Sequence, residues 1–236
     1  MKIVTVASQK GGTGKTTLCG HLAVAAERAG AGPVALLDTD PQGSLADWSN
    51  ARAAETPLFA QADIATLATD LDHLREQGIE LVIVDTPPAV SYAIMEVVQL
   101  SDLVLIPVRP SPHDLAAAGA TADLVEGLHK TLVFVVNSAS PRARITAEAA
   151  IALSQHGTVA STIVSFRSDF ASSMIDGRTV MELPRAKRSA AEIEGLWSYV
   201  EDRIGLRNTS PTPIGVGIQR VAEPAPRRGW LARGGR

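Results

Sequence analysis

The chain has 236 residues, a formal net charge of −3, 45% apolar residues, 20% charged residues and only 4% aromatics. That length suits one large α/β domain with a well-covered core, and so few aromatics supply no stacking platform for single-stranded nucleic acid. Cys19 is the only cysteine, which excludes an internal disulfide and a cysteine-built zinc or iron–sulfur cage within one chain.

The first apolar run, Ile3-Val4-Thr5-Val6-Ala7, predicts a strand over 2–7. After the segment SQKGGTGKTT a helix is predicted over 15–29, with Cys19 as a small core residue on its apolar face. Strands then follow over 33–38, 80–85, 102–108, 131–137 and 158–164. Helices are predicted over 44–53, 63–77, 91–99, 113–127, 144–156 and 189–203. Leu81-Val82-Ile83-Val84 and Leu132-Val133-Phe134-Val135-Val136 are apolar throughout rather than alternating. Strands covered on both faces have that character, as in a parallel sheet flanked by helices. The expected class is therefore doubly wound α/β.

No run nears the roughly 18 apolar residues of a membrane span. The apolar stretch after Lys2 is too short for a signal peptide, so a reducing, cytoplasmic setting is expected. No repeat of 20–50 residues stands out. After Gly205 the composition turns to Pro, Gly and Arg without helical period, so residues 1–205 read as the folded domain and 206–236 as a flexible tail. Six of the arginines (Arg207, Arg220, Arg227, Arg228, Arg233, Arg236) fall in that tail against the single acid Glu223. The body is correspondingly acidic, so any nucleic-acid contact must use a local basic patch or the tail. Because the first strand begins at residue 2, no room is expected for an N-terminal DNA-reading domain.

SQKGGTGKTT lies between a predicted strand and a predicted helix, where backbone N–H groups and a helix N-terminus face one point. Gly11, Gly12 and Gly14 let the backbone approach phosphate oxygens without Cβ interference. Lys15 would reach the β and γ phosphates, the Thr16 hydroxyl would ligate Mg²⁺, and Thr17 would help hold the α-phosphate. The ordinary phosphate loop has a glycine five places before Gly14; here that place holds Gln9, and Lys10 follows it. Carboxylates for the metal are offered by Asp85, ending Leu81-Val82-Ile83-Val84, and by Asp38 and Asp40 in LLDTDPQGS. Two acids one residue apart on a strand point the same way, toward the sheet edge where ligands sit.

KGGTGKTT, DTDPQGS, VIVDTPP and IPVRPSPHDL occur in this order and spacing. With them, residues 1 to about 204 resemble the deviant Walker-motif ATPases of the ParA/MinD family, above all the short ParA-type partition ATPases that lack an N-terminal DNA-reading domain. The resemblance implies ATP and Mg²⁺ as cofactors. It also implies a homodimer in the ATP state, with Lys10 of each chain extending into the partner's nucleotide site. Asp40 would position or activate the attacking water, and Asp38 and Asp85 would hold Mg²⁺ mostly through water. The loop from Gly11 through Thr13 to Thr17 would bind nucleotide. Asn137 would read the adenine edge, and Pro184, in Glu182-Leu183-Pro184, would pack on the purine.

The C-terminal third of the body is locally basic. By the same resemblance Arg167, Arg185, Lys187 and Arg188 would contact phosphates of double-stranded DNA without sequence preference. The implied cycle is an ATP dimer coating the nucleoid, released when a ParB-like or cargo-adaptor protein stimulates slow hydrolysis. The alternative is a MinD-like ATPase on a membrane surface. Those relatives end in an amphipathic helix, whereas this tail offers only Trp230 and Leu231 as bulky anchors, so no stable membrane association is expected. An iron–sulfur reductase of the nitrogenase type would need more cysteines. A tyrosine-kinase relative would need a tyrosine-rich tail, and this chain's only tyrosines are Tyr92 and Tyr199.

Overall fold

In a computed structural model, which describes residues 1–88 and 92–206, the continuously apolar strands do lie between two layers. The elements in chain order are β1 (Lys2–Val6), α1 (Lys15–Arg28), β2 (Val34–Asp38), α2 (Ser44–Ala51), β3 (Leu58–Gln61), α3 (Leu67–Glu76) and β4 (Leu81–Asp85). They continue with α4 (Tyr92–Leu100), β5 (Leu103–Val108), α5 (Pro112–Gly127), β6 (Leu132–Val136), α6 (Arg144–Ser154), α7 (Ser168–Met174), a 3₁₀ turn at Val180–Glu182, and α8 (Lys187–Ile204). All six strands are parallel, in the order β3-β2-β4-β1-β5-β6. This is the doubly wound α/β fold of the phosphate-loop nucleotide-binding proteins.

Successive strand residues feed opposite faces, as the two-residue period requires. Val34 and Leu36 of β2, Leu81 and Ile83 of β4, Leu103 and Leu105 of β5, and Val133 and Val135 of β6 join one core with α1 and α8. Their neighbours Val82, Val84, Val104, Ile106, Phe134 and Val136 pack on the other face, in two further clusters beneath α3, α4 and α5. A one-residue slip in any strand would exchange the two sets, so the register is strongly specified.

Two expectations change. The short segment Leu58–Gln61 is an edge strand paired only with β2; four residues after Pro57, three half-buried and one exposed, are too few to show a period. The strand expected over 158–164 does not form. Phe134 exchanges hydrogen bonds with Thr158 and Ala160, and contact resumes where Val164 bonds to Val136 and Ala139. Only isolated bridges, Phe134 with Val159 and Ala139 with Ser165, mark this path. The segment follows the β6 edge in two patches, because residues 161–163 break the pairing between them. The sequence also gave no sign of α7, and α8 starts at Lys187 rather than at 189.

The helices end where backbone chemistry allows. Ser111 accepts the Asp114 N–H ahead of α5, with Pro112 as its first residue. Gly205 terminates α8 in the left-handed conformation. The tail assigned to 206–236 falls, from residue 207 on, outside the described residues. Among the described residues no helix is long and apolar enough to cross a membrane.

Candidate nucleotide site

β1 is a central strand, and the chain leaves its C-terminal end between the ends of β4 and β5. The loop that follows is therefore held on both sides at the edge where open α/β sheets bind ligands. Ala7 N–H donates to Leu105 O, and Gly14, at φ 93°, caps α1 in a conformation that disfavours any side chain. A cleft of about 650 Å³ opens over the loop. It is lined by Gly11, Gly12, Gly14, Lys15, Thr16, Thr17, Asp40, Asn137 and Arg167 from the predicted set.

Lys15 is buried, and burial lowers its pKa against the opposing charges of Asp85 and Asp40. Beneath it, Asp85 is 1% exposed. Its Oδ2 accepts the Thr16 hydroxyl at 2.5 Å, while its Oδ1 is buried without a partner. Burial pushes the Asp85 carboxyl up to about 7; the Thr16 hydrogen bond resists this and the Asp38 charge adds to it. An orphaned carboxylate oxygen beside a hydroxyl that ends a phosphate loop fits a small divalent cation. Among the described residues no three His, Cys, Asp or Glu side chains converge as a metal cage. The fit is thus to Mg²⁺ held by Thr16, water and phosphate oxygens rather than by protein carboxylates alone.

Asp38 and Asp40 do not point the same way, because β2 ends at Asp38. Asp38 is fully buried, with its oxygens taken by the N–H groups of Asp40 (2.9 Å) and Ala46 (3.3 Å). Burial raises its pKa. Its visible task is to fold the 39–46 loop back onto the sheet. Of these two acids only Asp40 lines the cleft, beside Asp47, and its Oδ1 accepts the Gln42 N–H.

Lys10 is not in the cleft lining. Its ammonium is paired with Asp114 at 2.7 Å. Thr13 is buried under the loop. Asn137 is also buried, and its amide donates to Thr13 O at 2.6 Å, so in this structure it braces the loop. Pro184 lies in a second depression, with Arg167, Asp169, Arg185, Lys187 and Arg188. Three of these cations, Arg185, Lys187 and Arg188, are exposed. Arg167 instead makes a two-pronged pair with Glu192 at 2.7 and 2.8 Å, and Glu192 also accepts from Ser165.

Sequence reasoning missed the apolar wall of the cleft, formed by Phe166, Phe170, Met174 and Ile175. Phe166 and Ile175 are 77% and 81% exposed. It also missed Arg109, just after β5, which lines the cleft against Gly12. The Arg lies within the IPVRPS run that carried the resemblance; the apolar wall had no motif to mark it.

A six-stranded parallel sheet with this loop defines a phosphate-loop nucleotide-binding protein. The profile described as the CobQ/CobB/MinD/ParA nucleotide binding domain (CbiA) matches residues 4–180. The chain belongs to that family, whose ParA- and MinD-type members are ATPases. It is 32% identical over 202 residues to the maintenance of carboxysome distribution protein A (McdA) of Halothiobacillus neapolitanus, covering 80% of this chain and 91% of that one. MinD of Pyrococcus horikoshii, solved with Mg-ADP, superposes with a TM-score of 0.72 at 16% identity over 87% of this chain and 98% of that one. An ATP complex of a Cyanothece McdA variant gives 0.66 at 16% identity, over 89% and 98%.

Proposed function

We propose that this protein is a ParA-type positioning ATPase. It would dimerise around ATP and Mg²⁺, bind double-stranded DNA of any sequence as the dimer, and let go when an adaptor on its cargo stimulates hydrolysis. The observation that carries this reading is the division of labour among the loop's cations. Lys15 is buried in the chain's own cleft, whereas Lys10, in the same loop, stays outside it and 39% exposed. A long cation at the mouth of a phosphate site, unused by that site, suits a second polyphosphate brought up by another copy of the chain. Lysine is apt for this because it is a compact point charge on a flexible stem.

The remaining roles follow from position. Asp40, a half-buried acid lining the cleft, orients the attacking water. Thr16 holds Mg²⁺ with Asp85 behind it. The apolar wall from Phe166 to Ile175 receives the base. No covalent nucleophile or tuned acid–base pair stands in the cleft among the described residues, in keeping with a slow hydrolase that acts as a timer. Arg185, Lys187 and Arg188 would meet DNA phosphates; two copies on one dimer face would double the charge presented. The likeness to a carboxysome-distribution protein supports a large cargo on the nucleoid as one setting for such a cycle.

Sedimentation of the full chain with AMPPNP and Mg²⁺ tests the reading. A dimer that forms with the triphosphate analogue and not with ADP is expected, and binding of unrelated duplexes should appear with the dimer and weaken steeply with salt. A monomer at saturating analogue would overturn it.

A further inference from the structure

The Lys10–Asp114 pair joins the phosphate loop to the first turn of α5, 104 residues away in sequence. Asp114 is only 6% exposed. Its Oδ2 takes the Lys10 ammonium at 2.7 Å and also the Ser111 hydroxyl, while its Oδ1 is buried with no partner. Capping α5 requires only Ser111, which already accepts the Asp114 N–H. The carboxylate therefore adds only the bond from the Ser111 hydroxyl at this end of the helix, and it has one oxygen to spare.

A second cation stands close by. Arg109 is exposed, lines the cleft, and brings its Nη2 to 3.6 Å from where a Cβ on Gly12 would sit. Burial works against ionisation of Asp114. The hydrogen bonds from Lys10 and Ser111, with the charges of Lys10 and Arg109, nevertheless hold its carboxyl below the usual carboxylate range. Lys10 holds this buried anion directly, and Arg109 bears on it only as a nearby charge at the mouth of the site.

We propose that Asp114 is a positioning residue that parks Lys10 against its own chain while the phosphate site is empty, and passes to Arg109 when a polyphosphate draws Lys10 away. The proposal rests on the reading of Lys10 as a ligand for a phosphate outside its own cleft. Stripping the partner from a buried carboxylate is strongly unfavourable, so Lys10 leaves readily only if another cation takes its place. Arg109 suits the exchange, because its planar fork can hold a carboxylate by two parallel hydrogen bonds. The consequence is a threshold: a nucleotide must offer Lys10 more negative charge than one carboxylate before the chain releases it.

The test is the AMPPNP concentration at half-maximal dimer formation, by sedimentation of the full chain with Mg²⁺. Asp114→Asn should lower it at least fivefold, and Arg109→Gln should raise it at least fivefold. In the double variant the Arg109→Gln effect should shrink to within twofold, because no buried charge remains for Arg109 to satisfy. An unchanged midpoint for Asp114→Asn, or an undiminished Arg109→Gln effect in the double variant, overturns the proposal. A measurement on the wild type guards against a variant that does not fold. In the nucleotide-free chain, Lys10 should react with a small N-hydroxysuccinimide ester at least fivefold more slowly than exposed Lys187, read by peptide mass spectrometry; equal rates overturn the parking. Lys10→Ala separates the two readings. If it dimerises like the wild type, the role of Lys10 itself fails; if it is inert while Asp114→Asn behaves as the wild type, only the parking fails.

Discussion

The side-chain amide of Asn137 occupies the space that a Cβ on Gly14 would need. Asn137 Nδ2 stands 2.4 Å from that position and donates to Thr13 O at 2.6 Å. The end of β6 thereby braces the phosphate loop, and it can do so only because residue 14 has no side chain.

Two substitutions separate bracing from base reading. Gly14→Ala clashes with the amide at a positive φ and should reduce nucleotide affinity by about 100-fold or more. Asn137→Ala leaves Thr13 O without its donor and should weaken nucleotide binding roughly tenfold. If bracing is the role, ATP and GTP weaken equally in equilibrium titrations. A loss confined to ATP would return Asn137 to reading the adenine edge.

Magnesium dependence should centre on the pair of Thr16 and Asp85, joined at 2.5 Å. Thr16→Ala is expected to leave the fold intact and to reduce ATP affinity in Mg²⁺ to its value in EDTA. Asp40→Ala should keep nucleotide and dimer while lowering turnover by about 100-fold or more, the scale of losing a group that orients the attacking water; phosphate release checks it.

Arg52 holds two loops together. Its side chain is 6% exposed and makes a two-pronged pair with Glu182 at 2.9 Å, with further bonds to Gly177 O and Thr56 O. The guanidinium also lies 5.4 Å from the Trp48 ring, and Trp48 donates to Arg178 O. Arg52→Ala removes one partner of a largely buried pair and should cost about 3 kcal/mol. For a domain of this size that lowers the melting temperature by about 6–12 °C. Calorimetry that finds no shift would mean the 177–182 segment is held without this pair.

His21 links α1 to the same segment. One ring nitrogen bonds to Thr17 O at 2.7 Å, and the other accepts the Val180 N–H at 3.2 Å near the Ser173 hydroxyl. Burial brings its pKa down to about 4, with the Thr17 carbonyl opposing. The unfolded chain therefore binds a proton first. The neutral ring's contribution is complete above the ordinary pKa of 6.5 and is lost as pH falls toward 4. Asp85, raised to about 7, has the opposite slope, so the wild-type profile alone does not isolate His21. The stability gap between wild type and His21→Gln should narrow by about 2 kcal/mol between pH 7 and pH 5, measured by urea unfolding.

The basic residues should divide into two groups. Replacing Arg185, Lys187 and Arg188 by Ala should lower affinity for duplexes of all sequences and flatten the salt dependence by up to about three phosphate contacts. Arg167→Ala should change DNA binding less, because Glu192 already neutralises its guanidinium. It should instead loosen the Ser165–Glu192 contact that orders the cleft wall.

Much of this is legible in the sequence. An unbroken apolar strand can be stable only between two layers, so β4 and β6 declared a covered parallel sheet. The spacing of Gly11, Gly12, Gly14, Lys15 and Thr16 declared a phosphate loop, because those residue types in that order have one shared geometry. Such signals are local: the physics that makes them act within a few residues also makes them visible in a short window.

What only the tertiary structure decided is how distant segments meet. Lys10 finds Asp114, Asn137 fills the space beside Gly14, and Arg167 is neutralised by Glu192. No periodicity marks these pairs, since each depends on which strand ends lie side by side. The 158–164 run has a strand's composition and still forms only one bridge, at Val159, with a second just beyond it at Ser165, because a ladder needs continuous hydrogen bonding from its neighbour as well as a β-branched sequence. Local chemistry therefore determined the elements and the loop's task; strand order, which places β5 and β6 beside β1's exit, determined which side chains serve it.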